Sequence, residues 1–179
     1  MPSPSPWPPL FRVALRYGLV AGAVGFALLL ILYYSNHHPF LIPVFIDYRI
    51  ALLAIVFLFA LRELRDYHYK GVLQFWQGLV GSFLITLIFG IVASTALYLF
   101  ASYHQAFVQS YIDLSLKQVQ AFTDEDINRI GRDVYEAGIA SLKQADAYFL
   151  ATRYFEQSVI ISFFISIIIS VILRRQPKP

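Results

Sequence analysis

Hydrophobic residues fall into four long runs, at roughly 13–34, 43–61, 72–101 and 157–173, separated by polar stretches rich in charge, proline and tyrosine. A bilayer's hydrocarbon core is about 30 Å thick and takes about 20 helical residues to cross. Runs of this length predict an all-α polytopic bundle of four transmembrane helices. The second run is the weakest. Its uncharged part, Ile50 to Leu61, covers only about 18 Å as a helix. To reach across, it must borrow the residues around 44–46, which places Asp47 and Arg49 inside its outer end. The third run is longer than a crossing requires and predicts a tilted or projecting helix.

Between the third and fourth runs, residues 102–156 change character. Phe107, Tyr111, Leu114 and Phe122 recur near helical spacing, and Thr123 to Asp126 reads as a capping box with Thr123 as N-cap. Ile127, Ile130, Val134 and Tyr135 then predict one helix face, which Gly138 weakens or ends. From about Ala145 the chain is expected to run unbroken into the fourth span. The resulting division is a proline-rich cytoplasmic tail (1–11), transmembrane helices one to three (12–101), a small extracytoplasmic helical segment (102–156), transmembrane helix four (157–174) and a cytoplasmic tail (175–179).

Charge supplies the orientation. Arg12, Arg16, Arg62, Arg65, Lys70, Arg174, Arg175 and Lys178 cluster at one set of helix ends, against only Glu63 and Asp66. The opposite side carries six basic and nine acidic residues. Lys and Arg bias sets topology, so both termini and the 62–71 turn are expected in the cytoplasm of a bacterial inner-membrane protein. Tyrosines 33, 34, 48, 98, 103 and 154 then fall at the outer interface. The apolar run after Arg16 is long enough to span, which argues against a cleaved signal peptide. A composition 58% hydrophobic and 17% aromatic fits this class, and the absence of cysteine excludes disulfide and thiolate chemistry. The calculated pI near 9 reflects charges at helix ends rather than a basic stripe, so nucleic acid is not an expected partner.

Two stripes of small residues stand out. Ser158, Ser162, Ser166 and Ser170 share one face of the fourth span, and Ala14, Gly18 and Gly22, with Gly25 nearby, share one face of the first. Small side chains let helices approach closely. The stripes predict either that helices one and four pack together or that one stripe forms a homodimer seam. Gly78 and Gly81 make a lesser patch on the third span.

Asp47 and Arg49 are the charges committed to a span's outer half, where an ionisable group needs a partner. Two positions apart on a helix they would diverge, so Arg49 is expected to pair with Glu156 at the start of span four. Arg62, Glu63, Arg65 and Asp66 form a mixed-sign candidate cytoplasmic contact, which Gln74 and Gln77 could join. His37, His38 and His104 lack metal-ligand spacing with a carboxylate. No nucleophile, zinc or phosphate-loop motif occurs, so neither catalysis nor a cofactor is expected.

The segments RVALRYGLVAGAVG (12–25), His38-Pro39-Phe40, Asp47-Tyr48-Arg49, LRELRDY (61–67), Phe75-Trp76-Gln77-Gly78 and Tyr111-Ile112-Asp113 together resemble the domain of unknown function 4199 family of small bacterial membrane proteins. The resemblance covers nearly the whole chain. It implies four inner-membrane spans with an outer loop between the third and fourth, and no assigned activity. The functional expectation is an accessory, assembly or scaffold subunit, partnered by the bilayer and by a membrane complex or a homo-oligomer. The alternative is a small transporter or channel formed by an oligomer.

Overall fold

A computed structural model describes residues 8–175. Residues 1–7 and 176–179, and with them most of the expected proline-rich tail and all but the first residue of the C-terminal tail, lie outside the described residues. The described chain is helical: α1 (Pro9–Tyr34), α2 (Tyr48–Glu63), α3 (Phe75–Tyr103), α4 (Gln105–Gln120), α5 (Asp124–Ile130), α6 (Arg132–Lys143) and α7 (Ala147–Leu173). Two 3₁₀ turns, Pro39–Leu41 and Val44–Ile46, occupy the α1–α2 connection. A π-helical turn, Leu64–His68, prolongs α2. The one β-type contact among the described residues is a single antiparallel bridge between Leu73 and Arg175.

Among the described residues, three helices are long and apolar enough to cross a membrane: α1 with 26 residues, α3 with 29 and α7 with 27. With 16 residues, α2 reaches only about 24 Å. Helix α1 starts earlier than the sequence reading placed it. Pro9 takes the first helical turn, where its missing N–H is not needed, so residues 9–11 are helix rather than tail.

The bundle is built around α3, which packs chiefly against α7 on one side and α1 on the other, while α2 fills the space between α1 and α7. Leu29, Leu53, Phe57, Ile85, Phe89 and Leu97 are fully buried at the centre. Between apolar helices in lipid, tight packing replaces hydrophobic driving force, and small residues make it attainable. A Cβ on Gly18 would lie 2.7 Å from Ile88 Cβ and 3.1 Å from the Ile85 carbonyl oxygen; on Gly22 it would lie 2.7 Å from Val92 Cβ and 3.2 Å from the Phe89 oxygen. Matching numbers rise together on both helices, so α1 and α3 run parallel and α2 returns between them.

The serine stripe also meets α3, in the opposite direction. A Cβ on Gly78 would come 2.7 Å from Ser170 Oγ, and one on Gly90 would meet Phe155. Ser158, Ser162, Ser166 and Ser170 are all buried. Neither seam offered by the sequence is therefore needed to account for the stripes: both press on α3 from its two sides. Helix α3 carries its own small residues at the contacts, which is why it can take close neighbours twice.

Helices α4, α5 and α6 form a cap at the end of the bundle that holds the α1–α2 connection. The Thr123 capping box is formed, with the Asp126 N–H donating to Thr123 Oγ1 at 3.3 Å and the Thr123 N–H donating to Asp126 Oδ2 at 3.1 Å. The helix break falls at Gly131, not Gly138. Gly131 has φ +92°, a backbone region that side-chain-bearing residues avoid. Gly138 sits inside α6 with open space around it. The predicted single face of Ile127 to Tyr135 is accordingly split, and Val134 is exposed.

These two kinds of glycine separate in a stability test. Gly138→Ala should stabilise by up to about 1 kcal/mol through helix propensity alone. Gly22→Ala should destabilise despite the same propensity gain, since overpacking costs about 1–3 kcal/mol. Thermal unfolding of both variants in one detergent checks the opposite signs.

Candidate functional site: a buried arginine–aspartate network

Where α2 begins, the chain turns from a 3₁₀ segment into helix, and Asp47 is the N-cap. Its backbone is extended (φ −66°, ψ 124°), and its side chain accepts from the Arg49 N–H at 2.9 Å. Arg49, at the second helical position, folds back over the same carboxylate. Its Nε donates to Asp47 Oδ1 at 2.9 Å and to Oδ2 at 3.0 Å, and its Nη2 reaches Oδ2. Arg49 is 4% exposed and Asp47 7%, so neither charge can rely on solvent.

The remaining donors are met by α7. Nη1 donates to the Tyr154 carbonyl oxygen and to Ser158 Oγ, each at 3.2 Å, and Nη2 donates to Gln157 Oε1 at 3.0 Å. A guanidinium has five N–H donors in a fixed fork, and all five have acceptors here. The cation also lies 4.7 Å from the centre of the Tyr154 ring. Tyr48 donates to the Gly25 carbonyl oxygen at 3.1 Å, which leaves Tyr154 to donate to the Tyr48 oxygen across 3.0 Å. One hydrogen-bonded chain thus joins α1, α2 and α7. A cavity of about 180 Å³ adjoins it, lined in part by Phe40, Ile42 and Ile160. With every guanidinium N–H committed, the arginine offers that cavity no free donor.

The expected Arg49–Glu156 pair is not formed. Glu156 lies on the exposed side of α7, with its carboxylate 3.9 Å from Arg153, and the neighbouring Gln157 and Ser158 are the residues that turn toward α2. Asp47 and Arg49 would diverge only if both were helical. Asp47 is instead the cap, and an extended cap residue can aim its side chain back across the first turn. An aspartate directly before an apolar run is the signal that would have shown this. Tyr48, Tyr154 and Gln157 were missed as site residues; the polar positions 154, 157 and 158 share one face at helical spacing.

Beside this network, His38 is buried among the rings of Phe107 at 4.9 Å, Tyr111 at 5.6 Å and Tyr33 at 6.2 Å. Its Nε2 faces the Phe107 carbonyl oxygen at 3.3 Å and must therefore carry the proton, while Nδ1 is buried without a partner among the described residues. Burial pushes His38 below the usual histidine range, against the carbonyl hydrogen bond that favours the charged form. His37 bonds within its own turn and His104 stacks on Phe100, so the three histidines are not gathered.

At the opposite, termini-bearing end the 62–66 residues divide. Glu63 turns toward α1, accepting from Arg16 and, at 3.1 Å, from the Tyr17 hydroxyl. Arg65 holds Asp66 at 2.7 Å, and Arg62 is exposed. Gln74 and Gln77 cap α3 rather than joining this cluster.

An all-helical bundle with three membrane-length apolar helices and a polar network sealed among them is a membrane-embedded protein in class. Residues 16–175 match the family model described as Protein of unknown function (DUF4199), and the chain belongs to that family. No curated protein and no solved structure matches it.

Two measurements probe the network. Arg49→Met alone should destabilise by about 3–5 kcal/mol because Asp47 is left buried and uncompensated. Adding Asp47→Asn, which keeps the cap, should recover part of that loss. Strictly additive effects in a detergent unfolding cycle would rule the coupling out. His38 gives a pH signature. A folded state that resists protonation is at full stability above the unfolded histidine value of about 6.5 and loses stability as pH falls through it. The advantage of wild type over His38→Phe should shrink between pH 7.5 and 5, by at most about 1.4 kcal/mol per pH unit.

Proposed function

We propose that this chain is a four-span protein of the bacterial inner membrane, with both termini cytoplasmic, acting without catalysis as an accessory, assembly or scaffold subunit. The fourth span is α2 with its π-helical extension. Because α1 and α3 run parallel, the chain has to return along their length. The 16 residues of α2 and the five that follow reach about 30 Å, enough for that return. Phe45 and Ile46, exposed and apolar just before α2, suit a lipid-facing approach. Basic residues at the termini-bearing end support the orientation.

The observation that carries the scaffold reading is the saturation of Arg49. A transport or catalytic site keeps a charged group available to substrate, whereas here the buried charges are consumed in tying α2 to α7. The cap supports the same reading, since α5 and α6 contain no buried residue and expose Ile130 and Val134. They offer a contact surface at the end of the bundle.

Reporter fusions at Lys70 and Gln120 test the topology: cytoplasmic signal is expected at Lys70 and extracytoplasmic signal at Gln120, and the reverse pattern overturns it. Nanodisc extraction from the native membrane, with stoichiometry, tests the role. A complex with other chains in fixed ratio is expected. A self-contained oligomer that passes ions in liposomes would replace the scaffold by the channel alternative.

A further inference from the structure

At the termini-bearing end, α1, the end of α2 and the π-helical turn enclose an open groove of about 580 Å³. That lies within the range of about 300–1,000 Å³ typical of small-ligand sites. Its cationic wall is Arg12, Arg16 and Arg62, and its rim is Tyr67 and His68. The two acids present are already occupied, Glu63 by Arg16 and Tyr17 and Asp66 by Arg65. The guanidinium groups of Arg12 and Arg62 form no hydrogen bond and no ion pair within 4 Å among the described residues, although Asp66 feels the charge of Arg62 as well as that of Arg65. Two unspent guanidinium groups therefore face one cavity from two different helices. A planar fork of donors of this kind matches the oxygens of a phosphate.

The surface below the groove identifies what carries the phosphate. Along α2, Phe59 lines the groove itself, and Ile55 lies one turn further on the same face. Both are more than half exposed, at 54% and 56%. Along α1, Leu15 and Leu19 continue from Arg12 and Arg16 and are also exposed. Each helix thus presents arginine at its end and open apolar surface toward the bundle's middle, the profile of a headgroup followed by acyl chains. The π turn contributes to the geometry: its 2.9 Å bond from Tyr69 N–H to the Leu64 carbonyl oxygen closes a wider ring than an α-turn. This rare turn places Tyr67 and His68 at the rim.

We propose that this groove is a binding site for the phosphate of an anionic glycerophospholipid, held chiefly by Arg12 and Arg62. The site requires a membrane but is indifferent to the scaffold role and to which side the termini face.

Native mass spectrometry of the full chain, released from detergent after incubation with phosphatidylglycerol or phosphatidylcholine, tests it. Retention of phosphatidylglycerol over phosphatidylcholine is expected. Each of Arg12→Gln and Arg62→Gln should weaken retention about fivefold, and the pair by about the product. Arg129→Gln, an exposed cap arginine paired only with Glu125, should leave retention unchanged. Should the groove variants fail to fold, wild-type protein still decides, because its retention of phosphatidylglycerol must fall as ionic strength rises. Equal retention of the two lipids, or salt-independent retention, overturns the proposal. If inorganic phosphate in lipid-free detergent stabilises the protein as much as phosphatidylglycerol does, the groove is a free-phosphate site and the lipid assignment fails.

Discussion

Arg49 lies about 20 Å along the α2 axis from Arg62 and is buried, so its donors depend on acceptors supplied by the protein. Asp47 provides the counter-charge, and α7 provides a carbonyl, a hydroxyl and an amide. That requirement fixes much else. The rotation of α7 must present Gln157 and Ser158 rather than Glu156, the start of α2 must be an extended cap, and Tyr154 must lie under the cation. The shortest helix of the bundle is therefore held at its entrance by polar contacts and along its length by Leu53, Phe57 and Leu61.

The packing around α3 follows a complementary rule. Apolar helices in an apolar solvent gain little by hiding from it, so their association depends on how closely their surfaces fit. Glycines on α1 meet β-branched side chains of α3, and glycines of α3 meet Ser170 and Phe155 of α7. Contacts this near leave no space for even one methyl group unless a neighbour moves. Hydroxyls on α7 add little bulk, and two satisfy themselves locally, Ser158 with the Tyr154 carbonyl oxygen at 2.7 Å and Ser166 with the Phe163 carbonyl oxygen at 2.8 Å, whereas Ser162 and Ser170 are buried without a partner among the described residues.

The two ends of the bundle differ in kind. At the cap end the Asp47–Arg49 pair is buried, beside the aromatic cluster of His38 and Phe107. At the termini-bearing end arginines outnumber carboxylates, and the guanidinium groups of Arg12 and Arg62 have no ion-pair partner among the described residues.

Properties of the sequence alone determined the helical class, the membrane-length apolar runs, the asymmetry of charge between the two ends and the capping box at Thr123. These are local quantities: a run's length, a cap's identity and a count of arginines do not depend on what packs alongside. The tertiary structure decided which acceptors complete Arg49, which helix receives the glycine and serine stripes, and which of Arg62, Glu63, Arg65 and Asp66 remain free. It also placed the cap's break at Gly131 rather than Gly138, because only the positive φ required by the chain's path distinguishes one glycine from the other. Periodicity says which residues share a face. It does not say what that face meets, because this depends on the rotation and depth of neighbouring helices, set by all their contacts at once.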